Sequence, residues 1–139
     1  MNAKSFAYKK LQYRAYLSSV LEDLMKEQGF PLEEVETSIE ELKQQGYLDD
    51  RAYIEAVIRR EKRARHGPIW VKQKLRSLGA DAALIEEVLD EQYSEVERME
   101  AISQLLEKKA NKEKRNAIAS VIRRGFDISE ILKVCYNNN

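Results

Sequence analysis

At 139 residues, 43% of them hydrophobic and 35% charged, the chain suits one small domain or about three short repeats, with much surface for its core. Its 24 basic and 24 acidic residues cancel, which excludes attraction to DNA or a membrane by net charge alone. A single cysteine excludes an internal disulfide framework, and no apolar run approaches the ~18 residues of a membrane span. Five glycines and two prolines, set among abundant Glu, Lys, Leu and Ala, predict helix almost throughout.

In chain order, the expected helices start with Ala3–Tyr13 and Leu17–Gln28, then one from near Pro31 to Gly46. Gly29 and Gly46 read as left-handed C-caps. Asp49 or Asp50 caps the next helix, Asp50–Arg65, which breaks at His66, Gly67 and Pro68. A helix from Pro68 to Leu78 stops at Gly79, and one capped by Asp81 runs to Tyr93. The last three span Ser94–Lys109, Lys112–Arg124 and Asp127–Tyr136. Asp127 with Glu130 has capping-box spacing. No strand is expected, and the asparagine tail, Asn137 to Asn139, reads as frayed.

Three of the glycines repeat one pattern. Four before Gly29, Gly79 and Gly125 stand Met25, Leu75 and Val121; eight before stand Leu21, Val71 and Ala117. Three after stand Leu32, Ala82 and Ile128; six after, Val35, Ile85 and Ile131; ten after, Ile39, Leu89 and Cys135. Each copy is a helix, a glycine stop and a second helix burying one face. The expected fold is therefore all-α, a tandem array of three helix-turn-helix-like three-helix repeats, residues 1–47, 48–93 and 94–139, with an elongated body.

Charge is segregated along the repeats. From Arg59 to Arg76 there are eight bases and one acid; from Asp81 to Glu100, eight acids and one base; from Lys108 to Arg124, seven bases and one acid. The clusters Arg59, Arg60, Lys62, Arg63, Arg65, Lys72, Lys74 and Arg76, and Lys112, Lys114, Arg115, Arg123 and Arg124, are the candidate contacts to phosphates or to an acidic protein face. Acids are nearly absent within these stretches, so intrahelical pairing cannot neutralise them. Pairing with the acidic third helix of the same or the adjacent repeat is the alternative. Trp70 is a packing residue by default, or an exposed anchor in a partner interface. The tyrosines Tyr8, Tyr13, Tyr16, Tyr47 and Tyr53 read as packing.

Catalytic chemistry has little to work with. His66 is the lone histidine and has no partner at metal-ligand spacing, there is no phosphate-binding glycine loop, and Asp49 and Asp50 sit where a cap is needed. Cys135 falls on a periodic apolar position and reads as a buried thiol. No enzyme, metal or cofactor is expected. The N-terminus lacks the apolar stretch of a signal peptide, so a cytoplasmic protein is expected.

The block from Gly46 to Leu89 resembles the central block of the RecX family, bacterial regulators of the RecA recombinase. The resemblance lies in Leu48, Asp49, Asp50 and Tyr53, the arginine-rich Arg59–Arg65, Gly67 and Pro68, the basic Lys72–Arg76, and Gly79. Arg123 to Leu132 is similar to the family's C-terminal element, and Tyr16, Leu21, Met25, Gly29 and Phe30 match in the first repeat. Leu17 departs from the pattern, where the family commonly has a serine cap, and Ser18, Glu22 and Asp23 replace basic residues. The resemblance implies a curved array lying in the groove of the RecA–DNA filament. There it would act as a monomer that modulates, usually by inhibition, ATP hydrolysis, strand exchange and co-protease action in recombination, repair and the SOS response, with direct DNA contact possible. A stand-alone helix-turn-helix DNA binder and a helical scaffold for an unrelated partner are the rival readings.

Overall fold

The structure, a computed structural model, describes residues 1–108 and 114–137. Every element among them is a helix: α1 Ala3–Tyr13, α2 Ser18–Glu27, α3 Leu32–Gln44, α4 Asp50–Arg63, α5 Pro68–Leu78, α6 Ala82–Gln92, α7 Glu95–Lys108, α8 Lys114–Arg123 and α9 Ile128–Asn137. The helices pack in triplets, α1–α3, α4–α6 and α7–α9, with the first and third of each triplet in the closest partnership. The expected helix ends at Lys109 and Lys112 lie outside the described residues, as do Asn138 and Asn139.

The periodic apolar positions explain the triplets. Met25, Leu75 and Val121 are fully buried, as are Val35, Ile85 and Ile131 and, within a few per cent, Leu21, Val71 and Ala117. The positions three after each glycine differ from expectation: Leu32 and Ile128 are 57% and 54% exposed, and Ala82 is exposed too. Each is the first residue of its helix, at the rim of the buried face. Cys135 is half-buried against the core rather than enclosed by it. Two cores result. Leu21, Met25, Val35, Ile39 and Leu42 form one within the first triplet, closed by Leu48. The second and third triplets share another, in which Ile54, Ile58 and Leu75 are continuous with Ile102, Phe126 and Ile131.

The middle helices meet end to end. Ser19 Oγ, at the start of α2, donates to the carbonyl of Gly79 at the end of α5 (2.6 Å). One unit on, the backbone N–H groups of Gly67 and Ile69, at the start of α5, donate to the carbonyls of Arg124 and Gly125 at the end of α8 (2.8 and 3.0 Å). In each joint the negative end of one helix dipole faces the positive end of the next, and helix-terminal groups that would otherwise lack partners satisfy one another.

The aspartate pair has divided roles. Asp49 caps its own helix, accepting from Ala52 N at 3.0 Å. Asp50 reaches back to α2, accepting from Ser18 N (2.8 Å) and Ser18 Oγ (2.5 Å). Leu17, the N-cap of α2, is buried and supplies no capping side chain, so the second unit caps the first. The expected box at Asp127 forms only by half. Asp127 accepts from Ser129 N and Oγ, while Glu130 turns away to take Arg98 through both oxygens. A complete box instead starts α7, where Ser94 Oγ accepts from Glu97 N and Glu97 Oε1 accepts from Ser94 N.

Candidate partner-binding surface

The basic stretch of α4 and α5 is organised around one buried acid. Glu61 is buried. Its Oε1 accepts from Lys74 Nζ at 2.8 Å, and its Oε2 accepts from His66 Nδ1 at 2.6 Å and Trp70 Nε1 at 3.2 Å. The His66 and Trp70 rings are stacked, 4.1 Å apart and 6° from parallel. Burial pushes the Glu61 carboxyl up, but the hydrogen bonds and charges of Lys74 and His66 outweigh it and leave the group below its usual 4.5. Its contribution to stability is therefore present above the unfolded-state pKa and lost as pH falls through the folded one. Glu61→Gln is expected to cost about 1–3 kcal/mol at pH 7, because Lys74, His66 and Trp70 lose a charged acceptor. The same variant should flatten the loss of stability below about pH 4.5, checked by urea midpoints against pH.

Other cations in the stretch are held at the joint between the second and third units. Lys62 pairs with Glu97, donates to the Gln92 carbonyl at 2.6 Å and lies 5.4 Å over the Tyr93 ring. Tyr93 donates its hydroxyl to the His66 carbonyl at 2.8 Å, and burial together with the Glu97 charge pushes that phenol up to about 12. Arg124 donates through Nε to the Arg65 carbonyl (3.0 Å) and through its terminal nitrogen to the Ala64 carbonyl, closing the C-terminus of α4. Arg65 is the one non-glycine residue with positive φ among those described, at 57°, and its own Nε donates to Gln104. Lys72 pairs with Glu86 of the same unit, and Arg60 lies 3.6 Å from Glu61.

Among the described candidate cations only Lys72 pairs with an acidic third helix, while Lys62 goes to Glu97 of α7 and Lys74 and Arg60 to Glu61 of α4. This pairing accounts for part of the segregated charge. It leaves Arg59 and Arg63 on one face of α4, Arg76 at the end of α5, and Arg115 and Arg123 on α8. All five are exposed, with no acidic partner among the described residues. Lys112 lies outside the described residues, and so does the side chain of Lys114. Trp70 is neither core nor free anchor: the residue is 39% exposed, yet its backbone is pressed against Gly125. Tyr16 and Tyr53 are half-buried as packing residues, whereas Tyr8, Tyr13 and Tyr47 are exposed, contrary to expectation. Among the described residues there is no cluster of His, Cys, Asp or Glu able to hold a metal, and no helix long and apolar enough to cross a membrane.

A family model described as RecX, second three-helix domain, matches residues 49–89, which are the cap of α4 through α6. Regulatory protein RecX of Thermotoga maritima is 37% identical over 132 residues, covering 94% of this chain and 80% of its own. This chain belongs to the RecX family. RecX of Thermus thermophilus is 31% identical over 131 residues, covering 94% and 88% of the two chains. The crystal structure of RecX from Lactobacillus salivarius superposes with a TM-score of 0.87 over 97% of this chain and 93% of that one. At 22% identity, that likeness carries the RecX fold. The matched block contains both members of the aspartate pair, Glu61 and its ligands, and Gly67, so it holds capping and joint residues together with three of the five exposed arginines, Arg59, Arg63 and Arg76.

Proposed function

We propose that this chain is a non-enzymatic regulator that binds the RecA–DNA filament as a monomer and inhibits its ATPase, strand-exchange and co-protease activities. Membership of the RecX family along 94% of the chain carries this reading. The five exposed arginines support it as the contact surface: they are distributed over α4, α5 and α8 in an array whose units repeat, which suits a partner that is itself repetitive. Segregated charge of this kind gives orientation and speed of encounter more than raw affinity.

The rival helix-turn-helix reading fits less well. Such motifs read bases with the N-terminal residues of a recognition helix. Here the helices that follow the Gly29 and Gly79 corners are acidic, with Glu33, Glu34, Glu36, Glu40 and Glu41 on α3 and Glu86, Glu87, Asp90 and Glu91 on α6, and would repel phosphates. The starts of α5 and α2 are closed by the α8 and α5 corners. Purified protein is expected to lower single-strand-dependent RecA ATPase and strand exchange in a dose-dependent manner. Unchanged rates at saturating protein, or duplex binding equally strong with and without RecA, would defeat the proposal.

A further inference from the structure

The first unit is poor in positive charge along α2, whose one base is Lys26, but not along α1. That helix carries Lys4, Lys9 and Lys10, and no acid occurs in the chain before Glu22. Where α1 lies beside the end of α3, the rings of Tyr8 and Tyr47 stand perpendicular, 5.0 Å apart and 87° between planes. Both are exposed, Tyr8 by 38% and Tyr47 by 52%. They wall a cleft of about 430 Å³ whose other lining includes Lys4, Lys9, Gln12 and Gln45.

We propose that this corner between α1 and α3 is a binding site for single-stranded nucleic acid, with an unpaired base stacked on the Tyr8–Tyr47 pair. An edge-to-face pair leaves ring surface open for a third flat group. The two glutamine amides present donors and acceptors at the cleft for a base edge. Lys9 has no partner among the described residues, and Lys4 makes only a half-exposed pair with Glu41 at 3.0 Å, so both are available to phosphates.

Charge complementarity selects this occupant. The cleft lining holds two lysines and no carboxylate. The cleft between α5, α6, α7 and α9 includes Glu86, Asp90 and Glu130, the one beside α1 and the start of α3 includes Glu33 and Glu34, and the one at the α4–α7 joint includes Glu97 and Glu100. A cationic ligand is repelled by the lysines. The carboxylates of an acidic peptide satisfy them but offer no ring face to the tyrosines. A nucleotide supplies both, through base and phosphate.

The inference does not depend on the filament reading, because its test needs only the full-length chain and an oligonucleotide. Fluorescence anisotropy of a labelled oligothymidylate at low salt measures affinity. Tyr8→Ala and Tyr47→Ala are each expected to weaken binding about tenfold, while Tyr47→Phe keeps it. Lys9→Gln should reduce the slope of log affinity against log salt by about 0.7. A duplex of the same length should be indifferent to Tyr47→Ala. Circular dichroism melts check that the variants fold, which the exposure of both rings favours. Equal oligothymidylate affinity in Tyr47→Ala and the parent chain overturns the proposal, as does an equal loss for duplex. If both tyrosine substitutions spare the oligonucleotide but weaken RecA binding, the site is a protein contact and the proposal fails while the filament reading stands.

Discussion

Alanine at Gly67 is expected to lower stability by about 3 kcal/mol, whereas alanine at Gly29 costs about 1–2 kcal/mol. Gly67 has φ of −85°, a conformation open to any residue, so the penalty is one of space. An added Cβ meets Phe126 Cγ at 2.8 Å and comes closer still to the Gly125 carbonyl. Relieving it means separating α5 from the α8 corner, which breaks the hydrogen bonds from Gly67 N and Ile69 N and disturbs a core shared by two units. Gly29 is the reverse case. Its φ of 90° strains any side chain, yet an added Cβ meets nothing within 4 Å, leaving only the backbone cost of roughly 1–2 kcal/mol. Urea midpoints of the two variants measure the contrast. Equal shifts would mean that the α5–α8 joint yields without cost.

Reversing Arg59, Arg63 and Arg76 together to glutamate is expected to weaken filament binding roughly a hundredfold, taking ~1 kcal/mol for each of three exposed charges. Stability should change by less than ~1 kcal/mol, since none of the three has an acidic partner to lose among the described residues. The companion experiment reverses Lys62, Lys74 and Arg124. These hold Glu97, Glu61 and the end of α4, so the loss should appear first as a lowered unfolding midpoint. Co-sedimentation with RecA–single-stranded DNA, read beside thermal melts, separates the two. If the first triple variant binds as tightly as the parent, the contact surface lies elsewhere on the array.

Much of the fold was legible because the glycine-centred pattern is local. A left-handed stop with apolar residues at fixed distances places two helices against each other without knowledge of the rest. What spans units was not legible. Asp50 looks in sequence like a cap for the helix it begins; only the approach of α2 makes it the cap of another. Arg124 reads as one of a basic row until the carbonyls of Ala64 and Arg65, about sixty residues away in sequence, are brought to it. The acidic segment from Asp81 to Glu100 is equally visible in sequence, but which cations it neutralises depends on packing within and between units. Tyr8 stands between Phe6 and Tyr13 and Tyr47 beside Leu48, surroundings that resemble core in sequence, and their exposure emerges only where α1 packs beside the end of α3. The signal that could have found them was the absence of any acid before Glu22.

The two joints are built to different stiffness. Between the second and third units, a common apolar core is braced by Arg124, Lys62–Glu97, Arg65–Gln104 and the hydrogen bonds from Gly67 N and Ile69 N to the α8 corner. Between the first and second, the cores are separate, and the polar ties at the middle-helix ends run from two neighbouring serines, Ser18 and Ser19. Bending stress applied along the array therefore concentrates at the first joint. The chain is expected to respond as a rigid two-unit beam carrying a compliant end piece, with the Tyr8–Tyr47 corner on that end piece and the five exposed arginines of α4, α5 and α8 on the beam.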